Sequence, residues 1–111
     1  MNSPEIAVII PAYNEAQHIA QVVAAARVYL PVIVVDDGSS DDTASLAEAA
    51  GAEVIRHTRN QGKGAALRSG FRRADECSYQ AVITLDADGQ HDPNEIGSFI
   101  TAYQHTQADL I

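Results

Sequence analysis

The chain has 111 residues, of which 46% are hydrophobic and 20% charged, a composition typical of one globular domain and not of a disordered segment. Seven basic and fifteen acidic residues give a formal charge of −8, which argues against a nucleic-acid partner because phosphate backbones select clustered lysine and arginine. Apolar runs reach only about five residues, whereas a membrane-spanning helix needs roughly 20. The single cysteine, Cys77, fits a reducing compartment, so we expect a cytoplasmic protein.

Apolar patterns predict two strand–helix pairs in the first half of the chain. Residues 6–10 form a continuous, β-branched run, as in a strand buried on both faces, and this run ends at Pro11. Residues 14–30 carry apolar side chains at helical spacing, which predicts a helix. A second buried strand is predicted over residues 32–35, followed by an alanine-rich helix over residues 42–50.

The second half of the chain continues the same alternation. Residues 53–57 are predicted to form a short strand, and residues 58–64 a polar loop. A helical face follows over residues 67–74, and a fourth strand is predicted over residues 81–85. Residues 92–103 begin with an Asp-Pro-Asn-Glu helix start and carry an apolar stripe, which predicts a further helix.

Repeated strand–helix alternation predicts an α/β fold with a mostly parallel sheet and helices on both of its faces. In such sheets ligands bind beyond the carboxyl ends of the strands, near the point where the strand order reverses. Polar side chains gather directly after each predicted strand. They lie in the segments Tyr13-Asn14-Glu15, Asp36-Asp37, 60–63 and Asp86-Ala87-Asp88. The sequence therefore predicts one binding site at this edge of the sheet.

The most distinctive of these segments is Asp86-Ala87-Asp88. Residues i and i+2 of an extended chain point to the same side, and two carboxylates placed so repel unless a cation lies beside them. Hard oxygen ligands at this spacing suit Mg²⁺ or Mn²⁺. The alternative is an acidic turn that precedes the next helix, and the residues alone leave both interpretations open.

Three other features have both a structural and a functional interpretation. One carboxylate of the Asp36-Asp37 pair is expected to shape a turn, while the other accepts hydrogen bonds from a base or a ribose. The segment 62–64, Gly-Lys-Gly, matches neither nucleotide fingerprint, so it is either an anion site at a helix start or a flexible loop. His57 is assigned a surface or packing role, and no Ser-His-Asp arrangement is recognisable.

Four motifs together resemble those of the family-2 inverting glycosyltransferases, in order and in spacing over essentially the whole chain. The form of the fourth motif is similar to that of the dolichol-phosphate mannose synthase and polyprenyl-phosphate glycosyltransferase branch. The motifs are Ile9-Ile10-Pro11-Ala12-Tyr13-Asn14-Glu15, Val34-Val35-Asp36-Asp37-Gly38-Ser39, Asn60-Gln61-Gly62-Lys63-Gly64 and Asp86-Ala87-Asp88-Gly89-Gln90-His91. The resemblance implies the Rossmann-like, nucleotide-sugar-binding half of a GT-A fold.

The resemblance also implies a set of donor-binding residues. They are Pro11, Tyr13, Glu15, Val35, Asp37, Lys63, Asp86, Ala87 and Asp88. The first three would line the nucleoside pocket, and the next two would contact the base. The two aspartates of the fourth motif, with Gln90, would hold Mg²⁺ or Mn²⁺ on the diphosphate. The carry-over to Lys63 is looser than the others.

By this resemblance, residues 1–111 are the N-terminal, donor-binding part of a glycosyltransferase domain, without its acceptor half. Residues 108–111 are predicted to begin a fifth strand. The implied reaction transfers a sugar from a GDP- or UDP-linked donor, with inversion, to an acceptor such as a polyprenyl phosphate at the cytoplasmic face of a membrane. The alternatives are a sugar-nucleotide nucleotidylyltransferase, which needs a phosphate loop rich in Gly, Arg and Lys after the first strand, and a non-catalytic nucleotide-binding module.

Overall fold

The structure, a computed structural model, describes residues 6–88, and four strands alternate with three helices along that range. The strands are β1 (Ile6–Ala12), β2 (Val32–Asp36), β3 (Glu53–Arg56) and β4 (Ala81–Thr84), and the helices are α1 (Ile19–Arg27), α2 (Thr43–Ala49) and α3 (Lys63–Glu76). All strand pairs are parallel, in the order β3-β2-β1-β4. The predicted α/β fold with a parallel sheet is confirmed.

Both faces of the sheet are covered, because successive side chains of β1 point to opposite sides. Val8 and Ile10 belong to one apolar cluster, which includes Ile19 of α1. Ile9, between them, belongs to a second cluster, which includes Ala66 of α3. Each fully buried isoleucine contributes about 1.5–3 kcal/mol through the hydrophobic effect. The continuous apolar run of β1 is thus explained by the two layers of helices around it.

The strand order places a crevice beside β1. The chain moves from β1 to β2 and β3 on one side, and then crosses to β4 on the other side of β1. The segments that directly follow β1 and β4 therefore meet at the carboxyl ends of these two neighbouring strands. This reversal of strand order is where open parallel sheets bind their ligands.

The first strand passes through Pro11 and ends at Ala12. The prediction that the strand ends at Pro11 is therefore wrong. The carbonyl oxygens of Ile9 and Ala12 accept hydrogen bonds from Leu85 and Asp37, so the two residues face β4 and β2 respectively. Pro11 shares its side of the strand with Ile9, but β4 ends at Thr84, before it reaches Pro11. Its missing N–H consequently costs the sheet no hydrogen bond.

Two helix starts also differ from the prediction. Helix α1 begins at Ile19 and not at Asn14, since Asn14 has a positive φ of 54° that ends any helical path there. Helix α3 begins at Lys63, one turn earlier than the apolar spacing indicates. At 14 residues it is the longest helix within residues 6–88, and no helix of that range is long and apolar enough to cross a membrane. The helix predicted over residues 92–103 and the strand start at residues 108–111 lie outside the described residues.

Candidate functional site

A cavity of about 420 Å³ lies at the carboxyl edge of the sheet, beside β1 and β4. It is bounded by the segments that follow all four strands. The residues lining it are Pro11, Ala12, Tyr13, Glu15, Asp37, Asn60, Gly62, Lys63, Ala66, Asp86, Ala87 and Asp88. Eight of the nine donor-binding residues expected from the sequence are among them. The structure thus brings four distant motifs together around one open space.

Hydrogen bonds to the loop after β2 hold the loop after β1. The backbone N–H of Asn14 donates to Ser39 Oγ at 2.8 Å, and the N–H of Glu15 donates to Thr43 Oγ1 at 2.9 Å. These hydroxyl groups satisfy two backbone N–H groups that precede the first residue of α1. The arrangement keeps Tyr13 at the cavity with 49% of its surface exposed, so its ring can meet a ligand.

Asp37 is buried, with 5% of its side chain exposed, and it receives several hydrogen bonds. The N–H of Gln61 donates to Oδ1 at 2.9 Å, and the N–H of Gly62 donates to Oδ2 at 2.8 Å. His57 Nδ1 lies 2.8 Å from Oδ1. Burial acts to raise the pKa of Asp37, but the hydrogen bonds from His57, Gln61 and Gly62 together hold this pKa below its ordinary value.

Asp36 and Asp37 divide the two roles expected of the pair. The N–H of Ser39 donates to Asp36 Oδ1 at 3.2 Å, so Asp36 shapes the turn after β2 as predicted. The same turn needs Gly38, which has a φ of 77° and lies so close to the neighbouring loop that a Cβ there would come within 2.5 Å of Asn60 N. Asp37 alone of the pair lines the cavity.

Lys63 and the Asp86-Ala87-Asp88 segment meet at the mouth of the cavity. Lys63, the first residue of α3, donates from Nζ to Asp86 Oδ1 at 2.9 Å, with 65% and 42% of the two side chains exposed. Asp88 lines the same cavity. Within residues 6–88 no group of three or more His, Cys, Asp or Glu residues could hold a metal ion. The carboxylate of Asp86, which already binds a cation, and that of Asp88 at the same cavity still fit Mg²⁺ or Mn²⁺, because these ions keep several waters and bind substrate phosphates.

Among the described residues, one expected site residue is not brought to the cavity. Val35 is fully buried within β2 and packs in the apolar cluster under α3, so its side chain faces away from the cavity. Both faces of β2 are buried, and burial patterns therefore give no sign of which side chain reaches a ligand. Gln90 lies outside the described residues.

His57 makes a contact that its sequence neighbours do not predict. Its Nε2 lies 2.8 Å from Ser69 Oγ, while its Nδ1 meets Asp37, so an acid, a histidine and a serine form a continuous chain. The partners are 20 and 12 residues away along the sequence, and no local spacing joins them. The only sequence signal is the position of His57 directly after a strand.

The fold and the site together define an α/β domain of the glycosyltransferase type. The family model described as "Glycosyl transferase family 2" matches residues 7–111. The chain belongs to this family, as the four motifs predict.

Several curated relatives act on lipid phosphates by their names. The chain is 35% identical over 111 residues to the undecaprenyl-phosphate mannosyltransferase of Micrococcus luteus, covering 93% of this chain and 45% of that protein. It is 35% identical over 104 residues to the polyprenol monophosphomannose synthase of Mycolicibacterium smegmatis, covering 86% of this chain and 39% of that protein. The chain thus spans less than half the length of these relatives.

A solved structure with bound ligands supports the same fold. Glucosyl-3-phosphoglycerate synthase of Mycobacterium tuberculosis, in complex with Mn²⁺, UDP and glucosyl-3-phosphoglycerate, has a TM-score of 0.72 and 29% identity to this chain. The likeness covers 91% of this chain and 39% of that one. The described sheet with its helices therefore has the GT-A fold of this neighbour over the part that the two chains share.

Proposed function

We propose that this chain is the donor-binding part of a glycosyltransferase that moves a sugar, with inversion, from a GDP- or UDP-linked donor to a polyprenyl phosphate. One observation carries the proposal: an exposed aromatic ring, a lysine and a carboxylate pair line a single cavity where the strand order reverses. The names of the relatives, which include undecaprenyl-phosphate and polyprenol enzymes, support the class of acceptor.

The nucleoside is proposed to bind between the loops after β1 and β2. Tyr13 offers an exposed ring face on which a base can stack, and Pro11 adds apolar surface beside it. Asp37 Oδ2 receives one hydrogen bond among the described residues, from Gly62, so it can accept another from a base N–H. Val35 could contact the base only through its backbone, because its side chain is buried.

The diphosphate is proposed to bind at the start of α3. The first backbone N–H groups of a helix point outward without partners inside the helix, and the helix dipole favours an anion there. Lys63 is the only lysine of the chain and stands at this helix start with its ammonium at the cavity. The helix start and the lysine together provide the positive end of an otherwise acidic site.

The carboxylates of Asp86 and Asp88, together with Gln90, are proposed to hold Mg²⁺ or Mn²⁺. When bound, the ion neutralises the negative charge that develops on the leaving nucleoside diphosphate. The residues of the chain itself orient the donor, so that its sugar carbon faces the open side of the cavity. Structures of a neighbour with Mn²⁺ and UDP support this assignment by likeness.

The acceptor is proposed to be held by residues beyond these 111, because the chain spans less than half the length of its relatives. A lipid phosphate is already anionic and needs no strong general base. Such an acceptor would place the enzyme at the cytoplasmic face of a membrane. The nucleotidylyltransferase alternative gains no support, since Tyr13 and Glu15 stand where that class needs a basic loop.

The test is calorimetric titration of the chain with UDP and GDP, with and without Mn²⁺. We expect one nucleotide to bind with Mn²⁺ at least about tenfold more tightly than without it, a difference worth 1.4 kcal/mol. Asp88→Asn should remove the metal-dependent part, whereas Glu48→Gln on the exposed face of α2 should leave binding unchanged. Absence of binding by both nucleotides, or equal metal dependence in Asp88→Asn, would contradict the proposal.

A further inference from the structure

Three hydrogen-bonded side chains, those of Asp37, His57 and Ser69, run from the cavity into the layer of α3, and of these only Asp37 takes part in the proposed donor contacts. Asp37 Oδ1 meets His57 Nδ1 at 2.8 Å, and His57 Nε2 meets Ser69 Oγ at 2.8 Å. Only 10% of the His57 side chain and 5% of the Asp37 side chain are exposed. Such a buried polar chain is favourable only when each member has its partner.

Asp37, His57 and Ser69 are the residue types of a hydrolytic triad, but their positions in the fold do not suit that chemistry. A nucleophile must reach a space that a substrate can enter. Ser69 lies within α3, and neither Ser69 nor His57 lines the cavity. These two residues therefore act on a ligand only through the groups that they hold in place.

Asp37 is the group that His57 holds, and it in turn holds a loop. The carboxylate accepts the backbone N–H groups of Gln61 and Gly62, one on each oxygen. These residues directly precede Lys63 and the first turn of α3. Rotation of the carboxylate would break both bonds at once, so its orientation sets the position of the helix start at the cavity.

The ring of His57 is well suited to fix that orientation. In a neutral imidazole one nitrogen donates a hydrogen bond and the other accepts one. When Nδ1 donates to Asp37, Nε2 is left to accept a hydrogen bond from the Ser69 hydroxyl. A flipped ring would lose both partners. Ser69 thus anchors the imidazole to α3, and the imidazole anchors Asp37.

We propose that His57 is a positioning residue for the donor: tied to Ser69, it fixes the Asp37 carboxylate that holds residues 61–62, and so places Lys63 and the start of α3. The proposal rests on the proposed function for its effect on the donor. Its effect on the loop is independent of any ligand.

The experiment compares three replacements of His57. The amide nitrogen of His57→Asn can take the place of Nδ1 and donate to Asp37, whereas that of His57→Gln lies nearer to Nε2 and serves Ser69. His57→Phe serves neither. Ser69→Ala removes the far anchor, and Ser45→Ala on the exposed face of α2 is its matched control. Amide NMR spectra and hydrogen exchange of Gln61 and Gly62 are recorded without nucleotide, and the affinity for UDP or GDP with Mn²⁺ is then measured.

We expect His57→Phe and His57→Gln to move the Gln61 and Gly62 amide signals upfield and to lower their exchange protection by about tenfold, because the hydrogen bonds from these two N–H groups to Asp37 weaken. Nucleotide affinity should fall by a similar, about tenfold, factor. His57→Asn should restore most of both quantities. Ser69→Ala should cause a smaller loss, about two- to fivefold, and Ser45→Ala none.

Unchanged Gln61 and Gly62 amides in His57→Phe would overturn the proposal. If His57→Phe does not fold, the comparison of His57→Asn with His57→Gln decides, and equal behaviour of these two variants would also overturn it. Loss of nucleotide affinity without any change at the two amides would show that His57 acts by another route and would overturn it too. If the wild-type chain binds neither nucleotide, the proposed function fails. The amide signals still test whether His57 fixes residues 61–62 through Asp37.

Discussion

At the scale of single residues, Lys63 occupies a position that a metal ion would contest. Its ammonium lies 2.9 Å from Asp86 Oδ1, and both side chains are largely solvated. A solvated pair of this kind contributes about 0.2–1 kcal/mol, much less than a divalent cation gains from carboxylate ligands. Lys63 therefore acts as a weak, displaceable counter-ion to Asp86.

Replacing Lys63 by methionine should change two affinities in opposite directions. Mn²⁺ alone should bind about two- to fivefold more tightly, because no ammonium has to be displaced from Asp86. At saturating Mn²⁺, UDP or GDP should bind more weakly, because the diphosphate loses a cation. Electron paramagnetic resonance measures the first affinity and calorimetry the second. Lys63→Arg retains the charge and is the control for both measurements. A loss of both affinities in Lys63→Met would contradict this exchange.

At the scale of elements, the seating of α3 on β1 depends on a missing side chain. A Cβ at Gly70 would lie 2.5 Å from Cγ2 of Ile9, a fully buried residue of β1. The close approach brings the polar start of α3 down to the carboxyl ends of the strands. Gly70 thus lowers the helix propensity of α3 but allows the close contact with β1 that positions the site.

Gly70→Ala should destabilise the protein despite its better helix propensity. Alanine gains about 1 kcal/mol in a helix interior, but overpacking in a tight core costs about 1–3 kcal/mol. We expect a net loss of up to about 2 kcal/mol in the free energy of unfolding, measured by urea denaturation. Gly64→Ala, in the same helix, is the matched control, because its Cβ would approach only the Arg68 guanidinium, at 3.5 Å. A gain of stability in both variants would show that α3 can move away from β1.

At the scale of the whole molecule, the sheet and the place of the site follow from sequence patterns. Buried apolar runs mark β1, β2 and β4, whereas β3 is a short edge strand with only two half-buried apolar residues. The polar segments after the four strands meet at one edge because parallel strands share a direction. Chain path at short range was harder to predict: the apolar spacing before Ile19 gives no sign that Asn14 turns with a positive φ. The link of His57 to Asp37 and Ser69 depends on three separate elements and has no local pattern.

The free energy of unfolding should depend on pH through the ionisation of Asp37. Burial opposes ionisation, but hydrogen bonds from His57, Gln61 and Gly62 outweigh it and lower the pKa of Asp37 from the ordinary value of 3.8. A lowered folded-state pKa stabilises the protein at pH values above 3.8, and this stabilisation is lost as the pH falls through the folded-state pKa. Asp37→Asn, which removes the charge, should therefore be costly at neutral pH and nearly neutral in acid.

Urea denaturation of wild type and Asp37→Asn at several pH values between neutral and about 3 measures this difference. At neutral pH we expect Asp37→Asn to lower the free energy of unfolding by about 1.5–3 kcal/mol, the range for hydrogen bonds to a charged group. The gap should stay constant down to mildly acidic pH and close below 3.8. Glu48→Gln removes the same unit of charge from an exposed site and controls for the −8 net charge of the chain. A difference that persists undiminished in acid would mean that Asp37 stabilises the fold through packing. It would contradict the inference that the charge of Asp37 stabilises the fold by accepting hydrogen bonds from residues 61–62.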